Sequence, residues 1–232
     1  MLERPVQHPG ADSCLAMSET IGYKQVCGML NAAADQIRMN HQMLSKLDSA
    51  VGDGDHGTTI LRAMEAVSKT VSENPESDLK TLLSAVAWAV MSCDGGSTGP
   101  LLGSFFMGMS DGAAGREELD CAGVAAVFDA GVTKLQKQSR AQVGDKTMMD
   151  AFLPALAALK SADSARGIKA ALEQAAEAAA KGAEATQNMK AKFGRARNLG
   201  DRVLGHTDPG AVSISLILKG FSEAMEHRIS GS

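Results

Sequence analysis

Val26-Cys-Gly-Met-Leu-Asn-Ala-Ala-Ala-Asp-Gln-Ile-Arg-Met-Asn-His-Gln-Met-Leu-Ser-Lys-Leu-Asp48 opens the ordered part of the chain. Val26, Leu30, Ala33, Ile37, His41 and Leu44 step by threes and fours, the spacing of one helical face, and that face runs on to Asp48. The same signals recur downstream. A second helix is predicted from about Gly57 to Ser72, stopping at Asn74-Pro75 because the residue before a proline disfavours the helical region. Asp78 is a good N-cap for a third helix reaching Cys93, and Gly95-Gly96 ends it. A fourth starts near Thr98, with Pro100 tolerated in its first turn. Further helices are predicted over about 120–140, 147–161, 168–186 and 210–227, the seventh carrying Glu177 and Lys181 as an i, i+4 pair.

The composition agrees with this reading. Of 232 residues, 37 are Ala and 13 Met, whereas Phe, Trp and Tyr together make up 3%, so helix formers are abundant and the usual strand formers scarce. Eight helices with mostly short connections imply antiparallel neighbours, hence an up-and-down all-α domain without internal repeat or second domain. Alanine-rich inner faces let the axes approach closely. From Lys192 to Pro209 there is no apolar period, but Gly194, Gly200 and Gly205 recur among charged residues; a loop of that length without regular structure points to function.

Charge and targeting signals exclude several classes. The net charge is −4 and no stretch concentrates Lys and Arg, so a nucleic-acid or anionic-membrane surface has no electrostatic basis. Cys14, Cys27, Cys93 and Cys121 form no CxxC pair and read as buried free thiols of a reducing compartment. Residues 1–18 read as a flexible tail, with an early acid and two prolines where a signal peptide needs an apolar run, and residues 19–232 as the domain. The longest strongly apolar run, Leu82 to Cys93, is far short of the roughly 20 residues that span a bilayer. A cytoplasmic protein is expected.

Three glycine-rich clusters carry the chemistry. Leu47-Asp-Ser-Ala-Val-Gly-Asp-Gly-Asp-His-Gly-Thr-Thr59 brings Asp48, Asp53 and Asp55 together. Three carboxylates so close repel unless a cation neutralises them, and oxygen ligands without Cys or a His pair suit a hard ion such as Mg²⁺. An EF-hand is excluded, because counting from Asp53 its glycine position is Thr58 and its glutamate position is Met64. The same residues would also serve as a turn capping the second helix. The second cluster, Asp94-Gly-Gly-Ser-Thr-Gly-Pro-Leu-Leu-Gly103, feeds a helix N-terminus whose free N–H groups, with the Ser97 and Thr98 hydroxyls, make a phosphate cradle or simply a tight turn. No Walker A loop occurs: Asp145 and Arg140 stand where its glycines would precede Lys146-Thr147. The third joins Gly144-Asp-Lys-Thr-Met-Met-Asp150 to the stretch 194–211. There Arg195 and Met148 present surfaces for a planar base, Met148 reads equally as core, and Asp208-Pro-Gly210 reads as cap and turn.

Taken together, LDxxxGDGDHG, GGSTGPLLG, GDKTMMD and GRARNLGDRVLGHTDPGA, in that order between Asp48 and Ala211, closely resemble the ADP-binding L subunit of dihydroxyacetone kinases. The resemblance implies a closed barrel of eight antiparallel amphipathic helices with the nucleotide at one end. By motif, Asp48, Asp53 and Asp55 would hold two Mg²⁺ ions, and His56, Gly57, Thr58 and Thr59 would line the phosphate and ribose side. Ser97 and Thr98 would donate to phosphate, Met148 and Arg195 would flank the adenine, and Asp208, Pro209 and Gly210 would close the pocket. One departure is Gln138-Ser-Arg-Ala141, where the family often has RGKA, and Ser139 is left out of the expected site for that reason.

The implied reaction is phosphoryl transfer from Mg-bound ATP or ADP-linked phosphate to a short ketose held on a histidine of a separate K subunit. The phosphoryl source is either ATP itself or a phosphotransferase-system M subunit recharging bound ADP. A homodimer is compatible with the resemblance. Two alternatives share the motifs: a nucleotide-state sensor docking on a transcription regulator, and the related domain of fatty-acid kinases, which usually sits in a longer chain.

Overall fold

The computed structural model describes residues 19–75 and 77–225. Eight α-helices follow one another among these residues: α1 (Tyr23–Val51), α2 (His56–Glu73), α3 (Leu79–Met91), α4 (Thr98–Gly112), α5 (Cys121–Gln138), α6 (Met149–Ser161), α7 (Gly167–Ala185) and α8 (Pro209–Glu223). The all-α expectation holds, with helix ends displaced by a few residues. The expected tail at 1–18, Cys14 and the expected end of the last helix at His227 lie outside the described residues. Among the described residues no helix is long and apolar enough to cross a membrane.

Each helix packs on the next along the chain, and α8 returns to pack on α1. Asp78, Asp120 and Asp208 cap α3, α5 and α8, accepting the N–H groups of Thr81, Gly123 and Ala211 at 2.8, 2.7 and 2.7 Å. Of the stripe read from the sequence, Val26, Leu30, Ala33, Ile37 and Leu44 are buried on α1, whereas His41 and Asp48 are only half-buried, and Met29 joins the buried face. Aromatic mass is scarce but concentrated. Phe105, Phe106, Phe128 and Phe152 from α4, α5 and α6 form one cluster, Phe105 lying 5.2 Å from Phe128 and 4.6 Å from Phe152 between ring centroids. Outside the helices, Ile21 and Leu119 exchange backbone hydrogen bonds of 2.8 Å, tying the entry of α1 to that of α5.

Two expectations need correction. The described cysteines, Cys27, Cys93 and Cys121, are unpaired but half-buried rather than buried, because they stand beside the apolar stripes or at helix ends instead of on the stripes. The long connection is not structureless: Arg195–Val203 forms 3-10 turns broken at Gly200, where φ is 59°. Only Val203 of that segment is buried, too little apolar anchorage for an α-helix, so the chain settles for short i to i+3 turns.

Close approach between helices rests on glycine as much as on alanine. A side chain at Gly220 of α8 would meet the Ala33 backbone of α1 at 2.5 Å, and backbone cannot swing away. Gly28, on the exposed side of α1, would meet nothing within 4 Å. Gly220→Ala is therefore expected to destabilise the protein by about 1–3 kcal/mol through overpacking, while Gly28→Ala gains about 0.5–1 kcal/mol from helix propensity. Urea titration of the two variants checks both signs.

Candidate functional site

The helix order brings the connections α1–α2, α3–α4, α5–α6 and α7–α8 to one end, where they line a cavity of about 260 Å³. The residues immediately preceding the four even-numbered helices, Asp55, Ser97, Met148 and Asp208, all stand on its wall. Four positive dipole ends thus face one space, which favours an anion, although the first N–H groups of α6, His56 N–H of α2 and Ala211 N–H of α8 are already bonded within the protein. Asp55, Ser97 and Met148 make no side-chain cap to their own helices, so their side chains are available to a ligand.

The acidic cluster sits on this wall. One ligand oxygen from each of Asp48, Asp53 and Asp55 can be chosen so that all lie within 4.8 Å of one another. Asp48 is held by the first backbone N–H of α2, His56 N to Oδ2 at 3.2 Å. A side chain at Gly52 would strike the Asp48 carboxylate, and Gly54 turns with φ 81°, so both glycines are needed to fold the acids inward. Arg195, from the 3-10 segment, hydrogen-bonds Asp53 and lies 3.7 Å from Asp55. One guanidinium against three carboxylates leaves a net negative site made of hard oxygen donors, which fits Mg²⁺.

His56 is buried and its Nε2 lies 3.0 Å from the Ser213 hydroxyl of α8. Burial pushes its pKa down against the opposing pull of Asp48, which favours the neutral ring. On the far wall Lys146, 2% exposed, donates to the Thr186 carbonyl at 2.6 Å and to the His206 carbonyl. Asp150 closes the turn around it, accepting the Gly144 N–H at 2.6 Å and the Thr147 N–H at 2.8 Å.

Of the residues expected at the site, Asp48, Asp53, Asp55, His56, Ser97, Thr98, Met148, Arg195, Asp208, Pro209 and Gly210 converge on this cavity. Gly57, Thr58 and Thr59 do not line it. Helical rotation carries them off the wall: Gly57 faces the α1 backbone at His41, Thr58 is exposed, and Thr59 lies buried against Gly95. Lys146, Ser139 and Phe193 line the cavity and were not anticipated. For Lys146 the signal was a charged residue inside the quoted GDKTMMD turn. Ser139 was set aside on its departure from the family pattern, and nothing local marks Phe193.

Asp208 caps α8 while half-buried, and burial pushes its pKa up to about 7, with Asp150 and Asp48 adding to the rise against Ala211 and Lys146. An acid whose folded pKa lies above its unfolded value of 3.8 stabilises the fold when protonated, and that stability is lost as pH rises through the folded value. In EDTA, raising the pH from 6 to 8 should therefore remove about 1 kcal/mol through Asp208. Asp208→Asn keeps an acceptor for Ala211 and should abolish that component, measured as the difference between the two proteins' urea curves at each pH.

The DAK2 domain family matches residues 50–223. The ADP-binding subunit DhaL of PEP-dependent dihydroxyacetone kinase 1 from Listeria innocua is 36% identical over 81% of this chain and 89% of its own. The corresponding subunit of the PTS-dependent dihydroxyacetone kinase from Lactococcus lactis is 37% identical over 82% and 92%. Among solved structures, the dihydroxyacetone kinase of C. freundii in complex with AMP-PNP and Mg²⁺ resembles it with a TM-score of 0.69 and 25% identity, over 96% of this chain and 38% of that one. The chain belongs to the DAK2 domain family, together with the ADP-binding subunits of dihydroxyacetone kinases.

Proposed function

We propose that this chain is the nucleotide-binding subunit of a cytoplasmic dihydroxyacetone kinase, with residues 19–232 forming one domain. The observation that carries the reading is the convergence of four helix N-termini and a three-carboxylate cluster on one cavity, in a chain of this family. The packing of α8 back on α1 supports a closed up-and-down barrel with the nucleotide at its open end.

Asp48, Asp53 and Asp55 would hold two Mg²⁺ ions, which when bound supply charge neutralisation at the nucleotide phosphates. Ser97, Thr98 and the α4 N-terminus donate to phosphate oxygens. His56, held neutral against Ser213, orients the α2 terminus that anchors Asp48. Met148 and Arg195 flank the base and Asp208, Pro209 and Gly210 form the wall opposite. Arg195 serves as counter-charge to Asp53 until the nucleotide complex enters, and is then released towards the base. Phosphoryl transfer asks mainly for positioning and electrostatic stabilisation, which this arrangement offers without a nucleophile of its own.

The cavity's wall of helix N-termini and carboxylates suits a polyanion with its cations rather than a small neutral polyol. The acceptor therefore arrives from outside, held on a K subunit. The relatives that this chain spans almost end to end are named PEP- or PTS-dependent. On that basis ADP is a resident cofactor, recharged by a phosphotransferase-system M subunit.

Asp53→Ala is expected to abolish Mg²⁺-dependent ADP binding while the helical circular dichroism stays, because like-charged acids gain nothing from one another in the absence of a cation. Calorimetric titration decides it, and Mg·ADP affinity within about threefold of the natural chain would sink the metal assignment. Purified alone, the chain is expected to retain ADP through dialysis and to leave free dihydroxyacetone unphosphorylated. Adding a K subunit and a phosphorylated M subunit should restore transfer through proximity. Rapid turnover of ATP and dihydroxyacetone by the isolated chain would contradict the reading.

A further inference from the structure

Lys146 combines features that the reaction as described does not use. It is the only non-glycine residue with positive φ among the described residues, at 59°, a conformation that costs any residue bearing a Cβ. Its side chain is 2% exposed, and an ammonium is buried only where partners are supplied. Those partners come from the two ends of the α7–α8 connection: the Thr186 carbonyl just past α7, and the His206 carbonyl two residues before the cap of α8. The Thr186 hydroxyl in turn accepts the Asp208 N–H at 2.8 Å. Asp208 and Asp150 are the acids whose field the ammonium feels.

We propose that Lys146 is a positioning residue for the nucleotide. Its ammonium clasps the end of α7 and the approach to α8 onto the α5–α6 turn, fixing the gap between Met148 and the Asp208-Pro209-Gly210 wall. The strained backbone is retained because it aims the side chain inward, and a neutral residue would leave two buried carbonyls without donors. Neither hydrogen bond of the clasp goes to Asp48, Asp53 or Asp55, and Asp48 reaches it only through its charge acting on Asp208, so the carboxylate cluster keeps its own contacts without it. This assignment rests on the reading that a nucleotide occupies the cavity.

The full chain carrying Lys146→Gly, which relieves the backbone and removes the ammonium, tests it. Calorimetry should show Mg·ADP affinity weakened about tenfold or more and affinity for Mg²⁺ alone changed by less than about threefold. n-Butylammonium, which restores a primary ammonium on a four-carbon stem, should recover part of the loss where equal NaCl does not. Lys146→Met, similar in length but uncharged, should show the same split if the glycine variant fails to fold. Absence of a selective loss in the folded variant, or absence of recovery by the amine, overturns the proposal. A natural chain that binds no Mg·ADP brings down the functional reading and this one with it; a natural chain that binds and a variant that binds equally bring down Lys146 alone.

Discussion

Alternation of helix direction around the structure is the constraint on which the rest depends. Because every helix packs on its sequence neighbours and α8 on α1, every second connection must emerge at the same end. Backbone polarity then decides the chemistry. The even-numbered helices all begin there, so four N-termini with their positive dipole ends face one cavity. A polyanion is the natural occupant, and the three acids of the α1–α2 turn become tolerable beside it only with cations between them.

Close packing keeps those ends in register. Small residues at the crossings, such as Gly220 against Ala33, bring helix backbones into contact and leave little freedom for one helix to slide on another. The phenylalanine cluster fills the wider space among α4, α5 and α6. Against these apolar helix faces the cavity end is expensive in local terms: an acid pushed towards neutrality at Asp208, a buried lysine on a strained backbone, and a glycine-broken 3-10 segment. Such costs persist where ligand binding benefits from fixed geometry.

Much of this was legible in advance because the signals are local. The stripe from Val26 to Leu44, the Asp78 and Asp208 caps and the glycine breaks each declare a helix or its end within a few residues. The acidic cluster was legible for the same reason, since Asp48 in the last turn of α1 and Asp53 and Asp55 just before α2 lie within eight residues. One expected motif runs on into a helix. His56 faces the cavity, but Gly57, Thr58 and Thr59 follow at about 100° per residue and rotate away from it, so a contiguous motif does not make a contiguous wall.

What the sequence by itself determined is the set of eight helices, the Asp78 and Asp208 caps and the presence of a three-carboxylate cluster, all properties of neighbouring residues. Only the tertiary structure decided which side chains share the cavity. Arg195 reaches Asp53 across 142 positions of sequence, and Lys146 reaches Thr186 across 40 and His206 across 60. No periodicity encodes those pairings. They follow from helix direction and packing order, which bring the ends of distant segments together and leave each buried charge to the partners that geometry places within reach.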